Sequence, residues 1–299
     1  WLGGVWGSSP SDVFAVGSGG TILHYDGSDW GNMSSGTSGD LWGVWGSAWN
    51  DVFAVGSGGT VVHYDGSAWG NMSSGTSGDL WGVWGSTSVG PDGKANDVFA
   101  VGSSGRIRHY DGSAWGSMSS GTNLPLSAVW GSASVAPDGK ADRVFAVGGF
   151  GYGTVVRYNG IRWDYRNLLD SDRLHGVWGS SSSDVFAVGT DGTILHYDGN
   201  NWSAMSSCTC YQDSRLYGVW GSSPSDVFAV GLYGAILHYD GSTWSAMNSD
   251  IHYDLYGVWG SAWNDVFAVG SYWDYGAVSH YDGLVVHYDG VGWGNMSSG

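Results

Sequence analysis

Histidine and aspartate recur in step along this 299-residue chain, and what they could do is the first question. Histidine stands at His24, His63, His109, His196, His238 and His287, and aspartate at Asp12, Asp51, Asp97, Asp184, Asp226 and Asp265. At one place in the series both are exchanged: Arg157 stands where a histidine is due and Arg143 where an aspartate is due, with Asp142 shifted by one. Imidazole and carboxylate are the ingredients of general acid–base work and of metal binding. Yet the two change together, which implies that they touch. A buried histidine bonded to a carboxylate costs little, whereas an unpaired one leaves a polar group unsatisfied. A device repeated six times reads as scaffold before it reads as catalysis. A ring of metal sites is the competing reading.

Other chemistry is thinner. All 27 acidic residues are aspartate, and the chain has no glutamate. Asp170 and Asp172 could in principle do acid–base work on a glycoside, but no second signal joins them. Cys208 and Cys210 form Cys-Thr-Cys, where a bridge would close a very small strained ring and two free thiols are the alternative. Two inserts carry Pro91-Asp92-Gly93 and Pro137-Asp138-Gly139, which signal turns. Calcium is the alternative there, although the Asp-x-Asp-x-Asp-Gly spacing of a dedicated loop is absent. The reading is therefore not an enzyme and no cofactor, with calcium as the exception to test.

The elements that must position these residues are repeats. The tryptophan of a Val-Trp-Gly or close variant falls at Trp6, Trp45, Trp84, Trp130, Trp178, Trp220 and Trp259, at spacings of 39, 39, 46, 48, 42 and 39 residues. A period near 40 with short strands between Gly-rich turns predicts a propeller blade of four antiparallel strands. In the second repeat the expected strands are 41–45, 51–55, 60–64 and 69–73, joined by turns at 46–50, 56–59 and 65–68. Asp65-Gly66 is a hairpin signal, because glycine takes the positive φ the turn needs. Val52 and Ala54 point to one face and Phe53 and Val55 to the other. Apolar faces on both sides fit a blade sandwiched between neighbours. A single repeat cannot bury them, so the units must stack, and a ring of seven removes the open ends. The expected architecture is one all-β domain over 1–299, a seven-bladed β-propeller with no shared closing blade. Its blades are approximately 1–38, 39–77, 78–123, 124–171, 172–213, 214–252 and 253–299. An open array within a longer run is the alternative.

The stretch Ala15-Val16-Gly17-Ser18-Gly19-Gly20-Thr21-Ile22-Leu23-His24-Tyr25-Asp26-Gly27-Ser28-Asp29-Trp30 resembles the repeats of bacterial β-propellers with highly similar blades. It is similar to the bacterial-neuraminidase-repeat and photosystem-assembly propellers, and more loosely to tachylectin-like sugar-binding propellers. The likeness runs through all seven repeats. An Asp-box has one more residue between its aspartate and its aromatic than Asp26 and Trp30 allow. The resemblance implies the propeller fold, and the His–Asp bonds of WD-repeat blades imply a structural pair here. It does not imply one activity, since such folds host many. Neuraminidase-type hydrolysis needs a Tyr–Glu pair and an arginine cluster, and a chain without glutamate does not supply them.

The repeats differ on one side. The loops between second and third strands, and those leading into the next blade, should share a face. Bland Ser/Gly linkers in early blades give way there to Tyr152 in the fourth repeat and Arg173 after it, and to Tyr211, Asp213 and Arg215 after the fifth. Tyr233 and Tyr253 follow in the sixth, and Tyr272, Trp273, Asp274 and Tyr275 in the seventh. A further variable position, Gly3, Trp42, Trp81, Ser127, His175, Tyr217 and Tyr256, should ring the mouth of the central channel. Aromatic rings with Asp and Arg beside them have the composition of a recognition surface. Drift in tolerant loops is the alternative, but drift favours small polar residues. A net charge of -17 without a Lys/Arg cluster argues against nucleic acid, and no apolar run reaches a membrane span. The expected function is a binding module for a glycan or protein partner, extracellular or at the cell surface, with the periplasm as a further possibility. A structural or assembly subunit of a larger complex is the alternative. Sequons at Asn32, Asn71, Asn201 and Asn295 fall mostly in one repeated slot.

Overall fold

The computed structural model describes residues 1–86, 90, 93–132, 143–168, 172–206, 215–274 and 280–296, with backbone alone for 273, 274, 280 and 281. Its strands form seven four-stranded antiparallel sheets, each built from four consecutive strands in sequence order. The chain is a seven-bladed β-propeller, and no strand is exchanged between its first and last blades. Among the described residues helix is limited to single 3-10 turns, and none is long and apolar enough to cross a membrane.

Blade 1 sets the pattern with strands Leu2–Ser9, Asp12–Gly17, Ile22–Tyr25 and Trp30–Met33. In blade 2 the first strand, Leu41–Ala48, is longer than its apolar run suggests. A bulge between Gly46 and Ala48 lets Ala48 pair with Asp51, so the turn expected over 46–50 contracts to Trp49 and Asn50. The turn between the second and third strands is a single 3-10 turn, Ser57–Gly59, with Gly58 at φ 60°. The Asp-Gly turns are held by their own aspartates. Asp26 Oδ1 accepts from the backbone N–H groups of Ser28 at 2.9 Å and Asp29 at 3.0 Å, which pulls its pKa down to about 2.

Each central strand is buried on both faces. Val52 and Ala54 pack with Phe14, Val16 and Ile22 of blade 1, whereas Phe53 and Val55 pack with Leu80, Val98 and Ala100 of blade 3. The recurring tryptophan rings of the repeat interlock the blades. A Cβ added at Gly46 would stand 2.6 Å from the Trp6 ring, and one at Gly85 2.4 Å from the Trp45 ring. The same contact recurs at every seam and ends with Trp259 against Gly7, which closes the ring by packing alone. Fourth-strand tryptophans meet the phenylalanine of the preceding blade edge-on, as Trp69 meets Phe14 and Trp30 meets Phe267.

The His–Asp pairs are internal struts. Nε2 of His24, His63, His109, His196, His238 and His287 lies 2.6–2.7 Å from its aspartate, and each ring sits against the second-strand phenylalanine at 4.4–4.7 Å. In blades 1, 2, 5, 6 and 7 the second aspartate oxygen accepts from a first-strand serine, as Asp12 does from Ser8. Asp51 is the most buried of these. It also accepts from the backbone N–H of Ala95 at 2.7 Å, because the insert of the third repeat reaches back over blade 2. In that insert Gly93 N–H donates to Gly90 O at 3.0 Å and closes a turn, and Lys94 donates to the carbonyls of Asn50 and Asp65. Pro91, Asp92 and the corresponding insert of the fourth repeat lie outside the described residues, as do Cys208, Cys210 and Asp170.

Candidate recognition face

The loops that vary do share a face. The 3-10 turns of blades 1, 2 and 6 abut the start of the next blade: Gly19 N–H donates to Asp40 Oδ1 at 2.8 Å, Gly58 N–H to Asp79 Oδ1 at 2.9 Å and Tyr233 N–H to Asp254 Oδ1 at 2.9 Å. On the opposite face the hairpin turns meet one another, as Gly27 does Ser11. The first strands of all blades line the channel, and at its mouth on the loop face lies a cavity of about 500 Å3. All seven positions of the variable ring line it: Gly3, Trp42, Trp81, Ser127, His175, Tyr217 and Tyr256. The first strands place these side chains here because each is two residues from an inward-packed valine of Val-Trp-Gly or its equivalent, where the strand begins and a bulge turns it toward the axis.

Rings run continuously along one arc of the mouth. Trp1 meets Tyr256 edge-on at 6.4 Å, Tyr256 meets Tyr217 at 5.3 Å, and Tyr217 meets His175 at 5.4 Å. The Tyr256 hydroxyl lies 3.4 Å from both Asp254 Oδ2 and Ser271 Oγ. Burial is the main reason its pKa is raised. His175 Nε2 lies 3.2 Å from Thr190 Oγ1. Its pKa is lowered to about 4, first by burial and then by the charges of Arg173 and Arg215, so the ring is neutral at neutral pH.

Charge is segregated around the rim by one repeat position, the residue before the first-strand leucine. It reads Trp1, Asp40, Asp79, Pro125, Arg173, Arg215 and Asp254. The aspartates have local work. Asp40, Asp79 and Asp254 accept from the 3-10 turn of the preceding blade, through Gly19, Gly58 and Tyr233 N–H at 2.8–2.9 Å. Arginine cannot accept, so Arg173 and Arg215 do not serve that turn. Arg173 is half-buried, its Nε has no acceptor, and its pKa is pushed down by burial and then by Arg215. The mouth thus has a cationic side in blades 5 and 6 and an acidic side in blades 7, 2 and 3.

The structure brings together some of the residues singled out from sequence. Arg173 and His175 line the cavity, and Arg215 stands close enough to act on both. Tyr152, Tyr233, Tyr253 and Tyr272 do not line it. Tyr152 is 55 % and Tyr233 69 % exposed, while Tyr253 meets Tyr272 at 5.7 Å. Trp273 and Asp274 extend the second strand of blade 7, paired with Tyr281 and His280. Tyr211, Asp213 and Tyr275 lie outside the described residues. Trp1, Asp254 and Ser271 line the cavity and were not among the candidates. Aligning the residue before the leucine across repeats would have exposed Asp254, since that column holds both acids and bases. Among the described residues no group of three or more His, Cys or Asp could hold a metal ion.

No family model and no curated protein matches this chain. Solved structures do. YCF48 bound to D1 peptide superposes with a TM-score of 0.69 at 16 % identity, over 96 % of this chain and 91 % of that one. YCF48 from Cyanidioschyzon merolae gives 0.68 at 16 % identity, over 96 % and 94 %. The WD40 β-propeller domain of Doa1 gives 0.69 at 12 % identity, over 89 % and 88 %. At such identities the likeness is one of fold.

Proposed function

We propose that the chain is a non-enzymatic recognition module whose loop face takes a segment of a partner protein at the channel mouth. One observation carries this reading: a single cavity lined by Trp1, Trp42, Trp81, Tyr217 and Tyr256, with Arg173 and, close to it, Arg215 on blades 5 and 6 and Asp254 on blade 7. Aromatic side chains offer contact area at small entropic cost, and a guanidinium whose Nε has no acceptor, as at Arg173, offers a fork to a carboxylate. An acidic side chain or terminal carboxylate would sit on the Arg173 side, with an apolar or aromatic neighbour over the Tyr217–Tyr256 arc. That a propeller of the same fold has been solved with a peptide supports the mode of binding. Placement outside the cell or at its surface is part of the proposal, and the exposed sequon residues Asn32, Asn71, Asn201 and Asn295 favour it. A role as an assembly subunit would use the same face.

The test is selection from a displayed random-peptide library on the intact protein. Enriched peptides should carry a carboxylate beside an apolar residue. Arg173→Ala with Arg215→Ala should weaken them about tenfold or more, as loss of a charged hydrogen bond does, without lowering the melting temperature. A glycan is the competing ligand, because Trp42 and Trp81 offer ring faces to a sugar. No peptide enrichment, together with a glycan-array signal lost in Trp42→Ala/Trp81→Ala, would replace the peptide reading with that one.

A further inference from the structure

The exchanged pair in blade 4 leaves a cation where six blades have a neutralised strut. Arg157 lies on the third strand of that blade, Gly153–Tyr158, opposite Phe145 and Asp164. Its guanidinium sits 5.5 Å from the Phe145 ring centre and 5.8 Å from that of Tyr197 in blade 5. Phe145 thus carries Arg157 where the other phenylalanines carry imidazole. Arg157 Nη1 donates to Tyr197 Oη at 3.0 Å, and that hydroxyl donates onward to Gly199 O at 2.6 Å. Arg157 Nε is buried without an acceptor. Among the described residues no carboxylate pairs with Arg157. The nearest acid along the strand pair, Asp164, is taken by Arg162 Nε at 3.0 Å and by Asn159 Nδ2 at 3.3 Å. Arg143, in the aspartate's place, is exposed, and Asp142 lies outside the described residues.

Beside this guanidinium is a pocket of about 300 Å3 between blades 4 and 5, separate from the channel mouth. Phe145, Arg157, Asp164, Arg166, Tyr197 and Trp202 are among its walls. We infer that it is a second ligand site, for a carboxylate, with Arg157 as the binding residue. The observation behind this is the juxtaposition of a guanidinium held over two rings, an Nε on it with no acceptor, and an adjoining space it lines. A planar fork with an unpaired donor matches a planar carboxylate, and the ring faces keep it oriented. Arg166 adds a second positive group on the wall. Asp164 on the same wall disfavours a doubly charged phosphate, so a singly charged carboxylate is the fitting anion. It could come from an acidic side chain of a partner or from a free small acid.

The intact protein, labelled with 15N at arginine and tryptophan, tests this. The chain has few arginines, so the Arg157 Nε–H signal is assignable. Sodium acetate should move that signal and the Trp202 indole signal saturably, beyond what sodium chloride does at equal ionic strength. Inorganic phosphate should act at least several-fold more weakly. The double variant Arg157→His/Arg143→Asp rebuilds the pair of the other blades and should fold, yet its Trp202 signal should ignore acetate. N-acetyl-aspartate N′-methylamide presents the group as a side chain would: tighter binding than acetate assigns the site to a partner's acid, and exclusion assigns it to a free one. The inference is overturned if acetate does no more than chloride in the native protein, or if Trp202 responds equally in the double variant. Neither outcome depends on Arg173 or Arg215.

Discussion

One residue type does two different jobs in this chain, and the surroundings decide which. The six strut histidines each face a carboxylate. His175 instead faces Arg173 and Arg215 from a half-buried position, and burial followed by those charges lowers its pKa to about 4. In the unfolded chain it returns to an ordinary value near 6.5. Between those two pH values the unfolded chain holds a proton that the folded one does not. Stability therefore falls as pH drops below about 6.5 and levels off below about 4, by at most roughly 3 kcal/mol. His175→Asn should remove that part of the acid sensitivity. Urea titrations at neutral and mildly acidic pH check it: native protein and variant should differ more in their acid-induced loss than in their stability at neutral pH. Arg173 and Asp254 were readable as residues, but their meeting at one cavity was not. That meeting depends on the inward aim of the first strands of blades 5, 6 and 7, which packing of neighbouring blades sets.

At the scale of the blade, glycines divide into two kinds that look alike in sequence. Gly85 is needed for space, because an added Cβ would stand 2.4 Å from the Trp45 ring at the heart of a seam. Gly58 is needed only for its positive φ, with nothing within 4 Å. Gly85→Ala should cost about 1–3 kcal/mol through overpacking. At the position of Gly58 other blades already hold Ser104, Asp191 and Tyr233 at φ 53–57°, a region that costs an L-residue about 1–2 kcal/mol. Tyr233→Gly should therefore stabilise the fold by roughly 1 kcal/mol. Chemical denaturation of the two variants reads opposite signs. Because Tyr233 stands outside the cavity, the same Tyr233→Gly protein should bind a ligand at the channel mouth as the native protein does. Strand boundaries were legible to within a few residues. The long first strands were not, because a bulge lets Gly, Ser and Ala pair where they read as turn.

Across the whole molecule the ring depends on a seam with no shared strand. Trp259 against Gly7 is the same contact as Trp45 against Gly85, so the closure is chemically ordinary but lacks a chain crossing it. Gly7→Ala should lower the melting temperature about as much as Gly85→Ala. It should also speed amide exchange in strand Leu2–Ser9, which hydrogen-exchange mass spectrometry resolves. The net charge of -17 adds self-repulsion, so raising salt should raise the melting temperature of the native protein. The cationic side of the mouth is a local exception within that field. An acidic ligand must cross the repulsion to reach it, and its association rate should fall at low ionic strength.

The repeated Val-Trp-Gly period, the alternation of apolar residues and the Asp-Gly turns were enough by themselves to determine seven four-stranded blades, because local turn chemistry and burial on both faces leave no other use for such a repeat. The joint loss of histidine and aspartate at Arg157 and Arg143 was likewise enough to reveal their contact. What only the tertiary structure decided is which exceptions act together. Arg173, His175, Tyr217, Tyr256 and Asp254 come from three consecutive blades and share one cavity with Arg215 close by, while Tyr152 and Tyr233 stand outside it. Arg157 gains its meaning from Tyr197, which lies 40 residues further along the chain. Both groupings are made where neighbouring blades pack face to face, which is a property of the seam between repeats rather than of any one repeat.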